Sequence, residues 1–233
     1  MYKLWQKLAA EFIGTFALIL AASGSICADQ YLHAGGATGF GILGVAVAQG
    51  LAISLMVTSL GHISGGHFNP AISIGFWVTK RLSTIETIFY WAAQILGALA
   101  AAYFLAAVLP DSIWRPVSLG VTNLAPDFTR MHGMLLEAVL TFFLVFVVFA
   151  TAVDQKGAFS KIAGFAIGLT ITMDILIGGP FTGGSMNPAR TLGPAVASNQ
   201  WTNHGVYWVG PLFGGIVAAV VYDRLFLRDQ PPA

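Results

Sequence analysis

Residues 61–71 read GHISGGHFNPA and residues 179–190 read GPFTGGSMNPAR. A glycine, a hydroxyl residue (Ser64, Thr182), a Gly-Gly pair (Gly65 and Gly66, Gly183 and Gly184) and Asn-Pro-Ala (Asn69, Pro70, Ala71 and Asn187, Pro188, Ala189) recur at identical offsets. The chain therefore reads as internally duplicated. Asn is a preferred helix N-cap and Pro is favoured at the first helical position, so each Asn-Pro-Ala starts a helix. The asparagine amide carries donors as well as a capping oxygen, so it can hold its helix and still offer N–H to a passing molecule. A water held through its oxygen by two such donors points its hydrogens away, which interrupts a proton-conducting chain. Two helix N-termini also bring about half a unit of positive charge each, which repels cations. The glycines before each motif leave room for a solute and expose a row of carbonyl acceptors.

Composition sets the solvent around these residues. Of the 233 residues, 56% are hydrophobic and 9% are charged, against roughly 25% charged in ordinary soluble domains. The chain reads as a multi-pass membrane protein. Its formal net charge of +1, with no long basic cluster, offers nothing for nucleic acid. The single cysteine, Cys27, has no partner for a disulfide or a metal-binding set and reads as a small apolar filler. Crossing a bilayer takes about 20 apolar residues. Six stretches qualify, near 8–28, 38–60, 86–108, 132–153, 160–178 and 204–225. The first follows Lys3 and Lys7 and contains Glu11, so it reads as a retained span rather than a cleaved leader.

The repeated stretches fall after the second and fifth spans, and each leads into a short apolar run, Asn69 to Thr79 and Asn187 to Ser198. At 1.5 Å per residue, about 11 residues reach only from the membrane surface to its middle. The expectation is an all-α membrane protein with six transmembrane helices and two re-entrant half-helices. AEFIGTFALIL in the first span parallels LEAVLTFFLVF in the fourth, matching Glu11 with Glu137 and Thr15 with Thr141. Three spans per half invert the second copy, giving an inverted repeat. The expected division of a single domain, 1–233, is a first repeat over 1–109, an outer connecting loop over 110–130 and a second repeat over 131–233. Lys3, Lys7, Lys80, Arg81, Lys156, Lys161, Arg224 and Arg228 fall on one side, whereas Arg115 and Arg130 fall on the other. The positive-inside rule then places both termini in the cytoplasm.

The paired motifs, GHISGGH before the first and Arg190 after the second, resemble the major intrinsic proteins, the aquaporin family, along essentially the whole chain. The resemblance implies an hourglass fold with one pore per subunit, a homotetramer, and passage of water. It implies that Arg190 forms part of an outer selectivity filter, and that His67 lines the pore. An arginine at membrane depth is costly unless it faces a wet path, which agrees. Spacing from the motifs carries the other filter positions to Gln49, Ile175 and Gly184. Strict water channels typically place Phe and His at the first two. Glycerol facilitators typically place Trp first, Phe at the loop position and Asp after the arginine, where this chain has Thr191. The Ile, Gly and Arg set is similar to the tonoplast-type branch, whose implied solutes include ammonia, hydrogen peroxide and sometimes urea; Gln49 stands where that branch usually has His.

Gly65, Gly66, His67, Gly183 and Ser185 are the expected pore-lining residues of the two loops. Glu11 and Glu137 are expected as buried acceptors for the loop N–H groups, which otherwise lack partners. Asp174 stays open between a structural residue and a titratable modifier of the filter. His62 and His67 lack a third ligand at suitable spacing, so no metal is expected, and no cofactor. The leading reading is a passive channel for water and small neutral solutes, excluding protons and ions, in the plasma (inner) membrane. A glycerol or urea facilitator and a proton-coupled transporter using Glu11, Glu137 or Asp174 are the alternatives. An enzyme is not expected, because no nucleophile-base pair or phosphate loop is visible.

Overall fold

The computed structural model describes residues 2–154, 156 and 162–227. Lys161 and Arg228, used above for orientation, lie outside the described residues. Six helices are long and apolar enough to cross a bilayer: α1 (Leu4–Ala34), α2 (Gly41–Ser64), α4 (Thr84–Val108), α6 (Arg130–Val148, carried by a wider π turn to Val153), α7 (Ala163–Thr182) and α9 (Val206–Tyr222, carried likewise to Leu227). Two shorter helices, α3 (Pro70–Val78) and α8 (Pro188–Ser198), are the half-helices. A single turn, α5 (Asp111–Trp114), and a 3₁₀ turn at Ser118–Gly120 lie in the loop between α4 and α6.

Local chemistry explains where the helices begin. Ser83 Oγ accepts from Glu86 N while the Glu86 side chain returns to Ser83, a capping box that starts α4. Thr129 caps α6 through His132 N, and Asn69 and Asn187 cap α3 and α8. Three helix ends differ from expectation. Helix α1 runs past residue 28 to Ala34, because Asp29, Gln30 and His33 continue it where the chain no longer needs to be apolar. Helices α2 and α7 swallow the first half of each repeated stretch, ending at Ser64 and Thr182. The non-helical backbone at membrane depth is thus only 65–69 and 183–187.

Helices pack in matching pairs. In one half α1 lies on α4, in the other α6 lies on α9, and α2 meets α7 across the middle. Each half-helix packs chiefly on the last span of the opposite half, α3 on α9 and α8 on α4, so the halves interlock. Lipid tails are as apolar as leucine, so burial of apolar area adds little between helices here, and close backbone approach dominates. Gly97 abuts Phe12 O in the first pair and Gly214 abuts Ala138 O in the second, each leaving no space for a methyl group. Outward-facing Leu51, Leu55, Phe143 and Phe213 remain exposed, as expected of a surface that meets membrane.

Gly214→Ala should therefore lower the melting temperature in detergent by the equivalent of about 1–3 kcal/mol, the usual penalty of overpacking. Gly205→Ala is the control, because nothing lies within 4 Å of a Cβ built there. Equal melting of both variants with the wild type would contradict the close-approach packing.

Candidate functional site

The two loops repeat one backbone path. Gly65 and Gly183 cap α2 and α7 in the left-handed region, with φ of 94° and 85°. Gly66 and Gly184 follow at 65° and 57°, then Phe68 and Met186 at 49° and 52°. The last two are not glycine, so something must hold them there. The asparagines contribute that hold. Asn69 Oδ1 accepts from Ala71 N at 2.8 Å, and its Nδ2 donates to Met186 O at 2.9 Å. Asn187 Oδ1 accepts from Ala189 N at 3.0 Å and Arg190 N at 3.2 Å, and its Nδ2 donates to Phe68 O at 2.9 Å. Each half-helix is thus tied to the loop of the other through a strained carbonyl. This refines the expectation for the amides. One N–H of each Nδ2 crosses to the opposite loop, and the second is left for the path.

The buried carboxylates collect the loop donors. Glu11 accepts from Ser64 Oγ at 2.6 Å, His67 N at 3.0 Å, Phe68 N at 2.7 Å and Gln94 Nε2 at 2.7 Å. Glu137 accepts from Thr182 Oγ1 at 2.7 Å, Ser185 N at 2.9 Å and Met186 N at 2.7 Å. Tyr90 donates to Ser64 O and Tyr207 to Thr182 O, both at 2.7 Å, closing the same carbonyl in each copy.

A narrow cavity runs between the halves. Its polar wall is Gln49, Gly66, His67, Asn69, Ser185, Asn187 and Arg190, and its apolar wall includes Leu18, Ile53, Val57, Leu144, Ile167 and Ile171. His67 is fixed by Ser73 Oγ, 3.1 Å from Nδ1, and by Phe76, whose ring centroid lies 4.2 Å away. Arg190 is 2% exposed and donates from Nη1 to Gly120 O at 2.6 Å, whereas its Nε has no partner. Gln49 Nε2 reaches back to Val45 O of its own helix at 3.4 Å, a long contact. Ile175, one turn beyond Ile171, adjoins Gly184: a Cβ on that glycine would sit 3.2 Å from Ile175 Cα.

Several expected residues sit elsewhere. Gly65 opens instead on a wider cavity at the end of α2, beside Gly61, His62 and Phe76. Gly183 packs on Thr122 of the loop between α4 and α6, not on the narrow cavity. Ile175 and Gly184 adjoin each other rather than line that cavity, and Pro70, Ala71, Pro188 and Ala189 are buried as helix starts behind it. Asp174 is fully buried with both oxygens unpartnered and also lies off the cavity. The apolar wall went unforeseen, although two signals carry it. Gln49, Ile53 and Val57 share one face of α2 at four-residue spacing, and Leu18 and Leu144 occupy matching places after Thr15 and Thr141. Among the described residues no group of three or more His, Cys, Asp or Glu is placed to hold a metal ion.

A narrow path lined by polar groups and apolar side chains together, with two helix starts on it, inside a bundle of membrane-spanning length has the make-up of a membrane channel. The major intrinsic protein family matches residues 1–222, and the chain belongs to that family. It is 43% identical over 232 residues to the protein named probable aquaporin TIP3-2 of Arabidopsis thaliana, covering 96% of this chain and 85% of that one. It is likewise 43% identical over 224 residues to aquaporin TIP1-2 of Zea mays, covering 95% and 86%. The filter likeness to the tonoplast-type branch agrees with these relatives. The aquaglyceroporin of Plasmodium falciparum superposes with a TM-score of 0.84 at 23% identity over 97% of this chain and 98% of that one, which shows the shared fold.

Glu137→Ala would leave the N–H groups of Ser185 and Met186 without their acceptor, at about 1–3 kcal/mol for each buried donor. A marked fall in melting temperature and loss of monodisperse protein in detergent are expected. Thr141→Val, which removes only a bond to Glu137 O within α6, should shift melting little. If Glu137→Ala melts with the wild type, the carboxylate does not hold the loop.

Proposed function

We propose that this channel passively conducts water, together with small neutral solutes such as ammonia and hydrogen peroxide, and excludes protons and ions. The observation that carries the reading is the pair of asparagine amides, each anchored by one N–H to the opposite loop and each lining the cavity. A water accepting from both free N–H groups cannot also donate along the path in both directions, so proton hopping is broken there. The two helix starts and the buried guanidinium of Arg190 add positive potential against cations. The narrow cavity's apolar wall gives an ion nothing to replace its hydration, whereas a neutral solute loses little.

A proton-coupled mechanism is poorly served by the same residues. Glu11 and Glu137 each accept from the loops through both oxygens, so neither can shuttle a proton without releasing the backbone it holds. Solutes beyond water are supported by the filter, where Ile175 and Gly184 are small or apolar and Gln49 turns toward its own helix. Assembly as a homotetramer belongs to the proposal through the family likeness. So do the two repeats over 1–109 and 131–233. Lys7 pairs with Glu86 at 3.0 Å and Arg81 with Asp223 at 2.7 Å, gathering basic residues at the end where α1 starts and α9 finishes. That end is proposed as cytoplasmic. The TIP-type names of the relatives lend no support to the plasma-membrane expectation, so multi-pass insertion with cytoplasmic termini is the whole of the localisation proposed.

The test compares wild type with Gln49→Phe combined with Ile175→His, reconstituted in proteoliposomes and assayed for water, ammonia and peroxide. Wild type should pass all three above the lipid background, and the double substitution should depress ammonia and peroxide relative to water. An unchanged ratio, or a wild type that passes water alone, would overturn the wider selectivity.

A further inference from the structure

The outer loop reaches the filter through a side chain that the duplicated motifs do not include. Thr122 is 2% exposed, and its Oγ1 lies 2.7 Å from Thr191 Oγ1. Thr191 Oγ1 is in turn 2.7 Å from Ser185 Oγ, which donates to Asn187 O at 2.9 Å. A buried run of hydroxyls therefore links the outer loop to the second Asn-Pro-Ala start. Thr122 also fills the notch at Gly183, where a Cβ would lie 2.9 Å from the Thr122 Cβ, and it borders the Tyr207 hydroxyl.

Two residues before Thr122, Gly120 presents the carbonyl that accepts from Arg190 Nη1 at 2.6 Å. The backbone there is unusual: Ser118, Leu119 and Gly120 are successive left-handed residues, with φ of 48°, 53° and 68°. Such a run persists only where its surroundings over-determine it. On one side Leu119 is buried with Cys27, Leu105, Ile113 and Trp114 in a small apolar cluster of its own. On the other side the attachments include Thr122 to Thr191, Asn123 Oδ1, which accepts from Asn203 Nδ2 at 3.0 Å, and Ala125 N to Phe181 O at 2.8 Å. Thr122 is the nearest of these to Gly120, and its side-chain bond is buried whereas that of Asn123 is exposed.

We propose that Thr122 is a positioning residue for the filter: its hydroxyl bond to Thr191 clasps the outer loop onto the second re-entrant segment and so holds the Gly120 carbonyl that orients Arg190. The proposal rests on the channel reading above. Arg190 has a long side chain with many rotamers, and one fixed acceptor on Nη1 removes much of that freedom. With the clasp gone, the Gly120 carbonyl drifts and the guanidinium samples positions that open the bore. Passage of a planar solute wider than water is then the sensitive readout.

Thr122→Val removes the hydroxyl and keeps the β-branched shape against Gly183, while Thr191 retains Ser185 as partner. Water and urea permeability are measured in proteoliposomes for wild type, Thr122→Val, Thr122→Ser, Arg190→Val and the Thr122→Val/Arg190→Val pair. Removing one neutral hydrogen bond corresponds to roughly two- to tenfold in an equilibrium. The urea-to-water ratio should rise by about that factor in Thr122→Val, with water permeability retained. Thr122→Ser should restore the wild-type ratio, and Thr122→Val should add nothing once Arg190 is already Val, because both act through one guanidinium. An unmoved ratio in Thr122→Val overturns the clasp, as does failure of the serine to rescue or independent multiplication of the two effects. A wild type no more permeable to water than protein-free vesicles overturns the channel reading and the clasp together; a conducting wild type with an unmoved ratio overturns the clasp alone.

Discussion

Non-helical backbone in the middle of a bilayer has no water to satisfy its N–H and C=O groups, and each one left unpaired costs several kcal/mol. Everything else in this protein follows from how that demand is met. Glu11 and Glu137 supply carboxyl acceptors to the loop N–H groups, and Tyr90 and Tyr207 supply donors to the carbonyls that end α2 and α7. Asn69 and Asn187 then take the carbonyls of Met186 and Phe68. Because those last bonds run from one repeat to the other, neither loop is complete alone. The two halves are a single structure at the point where they meet.

That mutual bracing fixes what the path can offer a solute. The loops face it with amides, hydroxyls and a guanidinium on one side, because their other polar groups are turned inward to the carboxylates. The spans face it chiefly with Leu, Ile and Val, which give no hydrogen bonds, and with Gln49 of α2. In the proposed reading a water molecule finds most of its partners on the loop side, and its orientation is set at the asparagine pair. Selectivity against larger solutes is a separate matter, and in the proposed reading it falls chiefly to Arg190 and Gln49 on the cavity wall, where the loop between α4 and α6 meets Arg190 through Gly120 O.

The loops, the half-helices and the carboxylate pair were legible in the sequence because duplication wrote each twice, and because Asn-Pro and buried Glu are rarely used inside a membrane without a reason. The pore wall was not. In a soluble helix the buried face is marked by its apolar residues, but a span bordered by lipid is apolar all round, so Ile53 or Leu144 looks like any lipid-facing neighbour. The cross-tie was only half visible, since the asparagines were plain but Phe68 and Met186 give no hint of left-handed backbone. Thr122 left no signal at all, because the outer loop is not part of the repeat. The ends of α2 and α7 were set too early, near 60 and 178, whereas both helices continue through Gly61 and Gly179 to Ser64 and Thr182.

The asparagine pair makes a direct demand on transport. Wild-type protein in proteoliposomes should speed osmotic shrinkage well above the lipid background, measured by stopped-flow light scattering. In the same vesicles, dissipation of an imposed pH gradient, followed with an entrapped dye, should match protein-free controls. Rapid water flow with no added proton leak is the result expected from a water chain broken between Asn69 and Asn187. Proton flux rising in step with water flow, or water flow no faster than through bare lipid, would contradict it.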